Sequence, residues 1–140
     1  MSNPLALNGH DQIDAQVVTP SDSDSTGDLT GEVINGVGES TGEYNDTDGD
    51  ANGTTFIRTD LGRVDVAQVE IAVTDESLET GSAAIIVGEA RAAVPGDFDT
   101  ADDFVEGSIF IALYDAADGT EVADDTNITT LDFSYVAVRK

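Results

Sequence analysis

Ser108-Ile109-Phe110-Ile111-Ala112-Leu113-Tyr114 sets the architecture expected of this chain. It is apolar on both alternations, with Ile109, Ile111 and Leu113 on one and Phe110, Ala112 and Tyr114 on the other. Successive side chains of a strand point to opposite faces, so this run predicts a strand covered on both sides. Asp118-Gly119 follows as a turn pair. Beyond it, residues 127–139 place Leu131, Phe133, Tyr135 and Ala137 on one face of a final strand.

Upstream, residues 83–94 form a long, weakly polar run through Ile85, Ile86 and Val87, closed by Pro95-Gly96. Residues 63–74 alternate, but Val64 and Val66 lie on one phase and Val69, Ile71 and Val73 on the other. That change of phase near Ala67-Gln68 predicts a bulge. Residues 54–59 carry Phe56 and Ile57, and Glu32-Val33-Ile34 runs into Asn35-Gly36, a preferred hairpin turn pair. The Gly- and Asp-rich stretch 38–53, with Tyr44 as its one large apolar group, reads as a long loop. One short helix is expected at residues 100–105, where Thr100 can cap and Asp102 and Asp103 occupy the first turn.

The expected fold is therefore all-β. It is a single antiparallel β-sandwich or jelly-roll-like domain over residues 31–140, preceded by an extended polar N-terminal arm over residues 1–30. Apolar groups in the arm are sparse: Leu5 and Leu7, then Ile13, Ala15 and Val17. Ordering backbone costs about 1–2 kcal/mol per residue, more than these groups offset, so the arm is expected to lie on a neighbouring chain.

Composition limits function. At 140 residues the chain fits one domain, and 39% hydrophobic residues are too many for a disordered protein. Twenty Asp and nine Glu face only Arg58, Arg63, Arg91, Arg139 and Lys140, for a formal net charge of −24. Such a charge repels itself at low salt, whereas at about 1 M salt the Debye length falls to about 3 Å and the penalty largely disappears. The acids run along the whole chain rather than in one tail, which favours salt adaptation over an acidic cation-binding protein at ordinary salt. Phosphate backbones and anionic lipids would be repelled, so neither nucleic acid nor membrane is an expected partner. No apolar stretch is long enough to span a bilayer, and residues 1–10 do not read as a secretory signal. With no cysteine, thiol catalysis, thiolate metal sites and disulfides are excluded.

The best local motif is Asp48-Gly49-Asp50-Ala51-Asn52-Gly53, with Asp46 one step earlier. It matches the first half of an EF-hand loop, where alternate oxygens converge on Ca²⁺ and Gly permits the sharp turn. The match stops there, because the twelfth position is Thr59 and neither flank reads as a helix. Asp46, Asp48, Asp50 and Asn52 are the candidate calcium ligands, against the alternative of a solvated loop. Asp97, Asp99, Asp102 and Asp103 make a second, weaker acidic cluster. Three Asn-x-Thr triplets begin at Asn45, Asn52 and Asn127 and fit the glycosylation pattern. Catalysis finds no support: His10, the only histidine, sits in the polar arm, and no serine lies in a nucleophile-elbow context. The expectation is that the protein is not an enzyme.

Two resemblances carry the functional expectation. The composition, rich in Asp and nearly free of Lys, resembles that of haloarchaeal cytoplasmic proteins. In composition and pattern the chain also resembles small β-rich capsid decoration, minor capsid or tail proteins of haloarchaeal viruses. That resemblance implies a structural virion protein, a homo-oligomer whose partners are copies of itself and other virion proteins. Arg139 and Lys140, concentrated at one tip, would then meet a neighbour's carboxylates. The alternatives are a tail tube or other tail protein, a secreted haloarchaeal carbohydrate- or calcium-binding module, and a host binding domain.

Overall fold

A computed structural model describes residues 11–20, 33–34, 42–44, 55–72, 79–80, 83–98 and 104–140. In chain order the strands are β1 (Gln12–Val18), β2 (Val33–Ile34), β3 (Glu43–Tyr44), β4 (Phe56–Arg58), β5 (Val66–Ile71), β6 (Glu79–Thr80), β7 (Ala83–Ala92), β8 (Ser108–Asp115), β9 (Thr126–Asn127) and β10 (Phe133–Arg139). The all-β class expected from the sequence holds. Among the described residues the only helical turn is the 3₁₀ turn Pro95–Asp97. Of the expected helix at 100–105, residues 100–103 lie outside the described residues, and Phe104 and Val105 are irregular.

The run at 108–114 behaves as its two-sided apolarity requires. β8 sits inside the sheet β2-β4-β8-β7-β6, hydrogen-bonded to antiparallel β4 and β7. Ile109, Ile111 and Leu113 are fully buried in the main core, together with Phe133, Tyr135 and Ala137 from β10 and Val69 from β5. That core lies between this sheet and a second antiparallel sheet, β1-β10-β5, in a sandwich-like layering. Burying one large aliphatic side chain contributes about 1.5–3 kcal/mol, so this layer is the chief source of stability. The other side of β8 carries Phe110 and Ala112, which pack with Phe56, Ala93 and Phe98 in a smaller cluster flanked by Phe104 and Tyr114.

Three expectations are corrected. First, no bulge interrupts β5: its pairing with β10 runs unbroken from Val66↔Val138 to Phe133↔Ile71. Val64 is buried ahead of the strand, while Val66 points outward and is exposed, so the apparent change of phase was an apolar residue on the solvent face. The irregularity lies instead in β7, between Val87 and Glu89. A Cβ on Gly88 would come within 2.2 Å of the Tyr114 ring, so the bulge needs glycine there. Second, the stretch 38–53 is not wholly a loop. Glu43–Tyr44 pairs with Thr126–Asn127, and buried Tyr44 donates a 2.6 Å hydrogen bond to Glu121 and accepts one from the Leu113 amide.

Third, residues 12–18 do not extend away from the domain as part of an arm. They pair in unbroken antiparallel register with β10 of their own chain, from Gln12↔Arg139 to Val18↔Phe133. The entropy argument failed because a neighbouring strand satisfies the backbone, and only Val18 has to enter the core. The inward-facing polar groups are also satisfied. Asp14 accepts hydrogen bonds from the buried Tyr135 hydroxyl (2.8 Å), the Asp60 amide and Gln16. Burial, then the Asp14 carboxylate, push the Tyr135 phenol well above its usual range. Residues 1–10 and 21–30 lie outside the described residues.

Candidate functional site

Asp46, Asp48, Asp50 and Asn52, the candidate calcium ligands, all lie outside the described residues, as do Asp99, Asp102, Asp103 and His10. Asp97, the described member of the second acidic cluster, has another occupation. Its two oxygens take a bidentate ion pair from Arg91 at 2.7 and 2.8 Å, and one also accepts the Val94 amide at 2.8 Å. Burial opposes its ionisation, but the guanidinium and the amide outweigh burial and hold the carboxyl below the usual carboxylate range. Arg91 also stacks 4.1 Å from the Phe110 ring centroid and bonds Glu89. The cluster therefore fastens the 3₁₀ turn to β7. Among the described residues no group of three His, Cys, Asp or Glu could hold a metal ion.

The backbone of the C-terminal tip is engaged within the chain. The Lys140 amide donates to Asp65 (2.8 Å), and Arg63 bonds both Asp65 and the Lys140 carbonyl. The backbone bond from Lys140 and the Arg63 guanidinium lower the Asp65 carboxyl below its ordinary range. Asn127 of the third glycosylation triplet is exposed, and its side-chain oxygen accepts the Thr129 amide and hydroxyl.

The feature that stands out is the outer face of the sheet β1-β10-β5. Strand register places three rows there: Ile13–Val138–Val66, Ala15–Val136–Gln68 and Val17–Ser134–Glu70. Six of these nine residues are apolar and one is charged. Val17 is 62% exposed, Ile13 48%, Val66 43% and Val136 41%. These are four of the six large hydrophobic residues that the described surface exposes, gathered on one face. Isolated surface hydrophobics need no explanation, but a contiguous apolar face does. On a chain of net charge −24 these three rows carry a single charge, Glu70.

Sequence reasoning missed this face although its signals were present. Ile13, Ala15 and Val17 alternate within a stretch read as an arm. Val66 created the phase change read as a bulge, and Val136 and Val138 are the off-phase apolar residues of the last strand.

No family model matches the chain, and neither does any curated protein or solved structure.

A cleft of about 280 Å³ lies where β5 runs beside β7, lined by Ala67, Val69, Glu70, Val87, Gly88 and Glu89. It is open and mostly polar, and falls just below the range of about 300–1,000 Å³ for ligand sites.

Proposed function

We propose that this protein is a structural subunit of a virus particle adapted to multimolar salt, a capsid decoration or minor capsid protein of a virus infecting halophilic archaea. The observation that carries the reading is the apolar, nearly uncharged outer face of β1-β10-β5 on an otherwise intensely acidic molecule. The charge keeps free subunits soluble and apart at low salt. Screening at about 1 M salt removes the repulsion and leaves the apolar face free to associate. Support for assembly thus comes from this face, to which β1 contributes Ile13, Ala15 and Val17 after folding on its own chain. The all-β fold and the absence of cysteine agree with a scaffolding role.

The test is co-purification. Particles banded on a density gradient in high salt, from a culture producing the protein, should contain it in stoichiometric amount. Recovery only with soluble host protein, and never at particle density, would overturn the reading.

A further inference from the structure

We infer that β1 is a self-pairing edge, so that two copies join through antiparallel β1–β1′ contact into one continuous six-stranded sheet. This deepens the assembly reading by naming the surface and the partner, a second copy of this chain.

Three observations carry it. The first is the edge itself. β1 is the terminal strand of its sheet, seven residues long and regularly paired on one side only among the described residues. Exposed edges are usually guarded by shortness, bulges, Lys, Pro or inward-pointing charges. The other sheet ends on β2 and β6, of two residues each among the described residues. β1 contains no Lys, no Pro and no bulge. Its one charge, Asp14, is held by Tyr135, Asp60 and Gln16 within the chain.

The second observation is self-complementarity. A twofold axis at Ala15 pairs Ile13 with Val17′, Asp14 with Gln16′, and Ala15 with Ala15′. Apolar side chains then meet on the outer face, and the single carboxylate lies opposite an amide rather than its own copy. Centring the axis on Asp14 would instead oppose two like charges, which is unfavourable.

The third is size. Three strands about 4.8 Å apart and seven residues long give a face of roughly 300 Å². A standard interface takes about 800 Å² from each partner, which neither one such face nor one strand edge reaches, but a strand edge gains its affinity from main-chain hydrogen bonds rather than from area. Pairing through β1 adds main-chain hydrogen bonds and doubles the continuous apolar face presented to the rest of a particle.

The sequence has no cysteine, so one introduced thiol reports unambiguously. In the dimer the two Ala15 Cβ atoms stand about 4.5–5.5 Å apart, close enough for a disulfide after slight adjustment. Val136, at the centre of the face on β10, would be three strand spacings, about 14 Å, from its copy. Mild oxidation in about 1 M KCl, where repulsion is screened, should convert most of Ala15→Cys to covalent dimer and leave Val136→Cys monomeric on a non-reducing gel. Circular dichroism of both variants confirms that they fold. Cross-linking of Val136→Cys but not Ala15→Cys would overturn the inference in favour of face-to-face packing. An Ala15→Cys protein that sediments as an oligomer without cross-linking would overturn the β1 edge but leave the assembly reading standing. A parent protein that sediments as a monomer in high salt would overturn both.

Discussion

The two sheets of this molecule treat their outer faces differently. The outward side of β4-β8-β7 carries Phe56, Phe110 and Ala112, and the chain covers it with its own Phe98, backed by Phe104. Phe98 meets Phe56 edge-to-face at 5.1 Å and Phe104 at 6.0 Å, and Arg91 closes over Phe110. The outward side of β1-β10-β5 carries Ile13, Val17, Val66 and Val136, all left more than 40% exposed. Aromatic side chains cannot be left in water cheaply, whereas Val and Ile on a sheet face cost less and remain available to a partner. The aromatic part of the first face is finished within the chain, with only Ile86 beside Tyr114 left 47% exposed among the described residues; the second is proposed to be finished by another subunit.

Removing the cover should have the largest effect. Phe98→Ala should destabilise the fold by about 3–5 kcal/mol, as for other buried aromatic truncations, measured by denaturant titration in high salt. A loss below about 1 kcal/mol would mean that the cover is incidental and the contrast between the two faces is false. Asp97→Asn tests the pin that positions the cover. It should cost about 1–2 kcal/mol, since the solvent exposure of Arg91 discounts the value of a fully buried charged hydrogen bond. The pH dependence has a definite sign. The folded carboxyl titrates below the ordinary aspartate value of about 3.9, so its contribution is fully present above that value and lost as pH falls through the lower folded one. Parent and Asp97→Asn stabilities should therefore differ above about pH 4 and converge below it. A constant difference down to low pH would assign the effect to packing instead.

These contrasts also show what the sequence made legible. The all-β class, the two-sided burial of β8 and the inward set Leu131, Phe133, Tyr135 and Ala137 followed from strand periodicity, because burial acts directly on side-chain alternation. The outer apolar face was not legible for the same reason. Alternation shows that apolar residues share a face; which face meets solvent depends on strand order, and β1-β10-β5 joins segments more than a hundred residues apart. Val66 illustrates this: only its pairing with Val138 and, through it, with Ile13 reveals a surface patch instead of a bulge. Tyr44 was passed over because an isolated aromatic in an acidic stretch has no periodic partner, and its anchoring contacts come from Leu113 and Glu121. The calcium expectation at Asp46, Asp48, Asp50 and Asn52 rests on residues outside those described.

Charge supplies the next test. The melting temperature should rise steeply from low salt to about 1 M KCl, because screening relieves the self-repulsion of the net −24 charge. A melting temperature flat with salt would return the chain to the class of ordinary acidic proteins. The smallest effect on stability is expected on the open face. Val17→Ser with Val136→Ser should change the stability of the isolated subunit by no more than about 0.5 kcal/mol per site, as for surface substitutions, whereas an equivalent change at Phe98 would be severe.

Sedimentation velocity in about 1 M KCl, where repulsion is screened, shows whether the sheet β1-β10-β5, through its β1 edge and the apolar face beside it, joins subunits. Parent protein should sediment as a concentration-dependent oligomer, and the Ile13→Ser, Val17→Ser double variant, which removes the apolar pair that β1 presents to its copy, should shift toward the monomer while keeping the parent's circular dichroism spectrum. Parent and variant sedimenting identically, whether both as monomers or both as the same oligomer, would contradict the account.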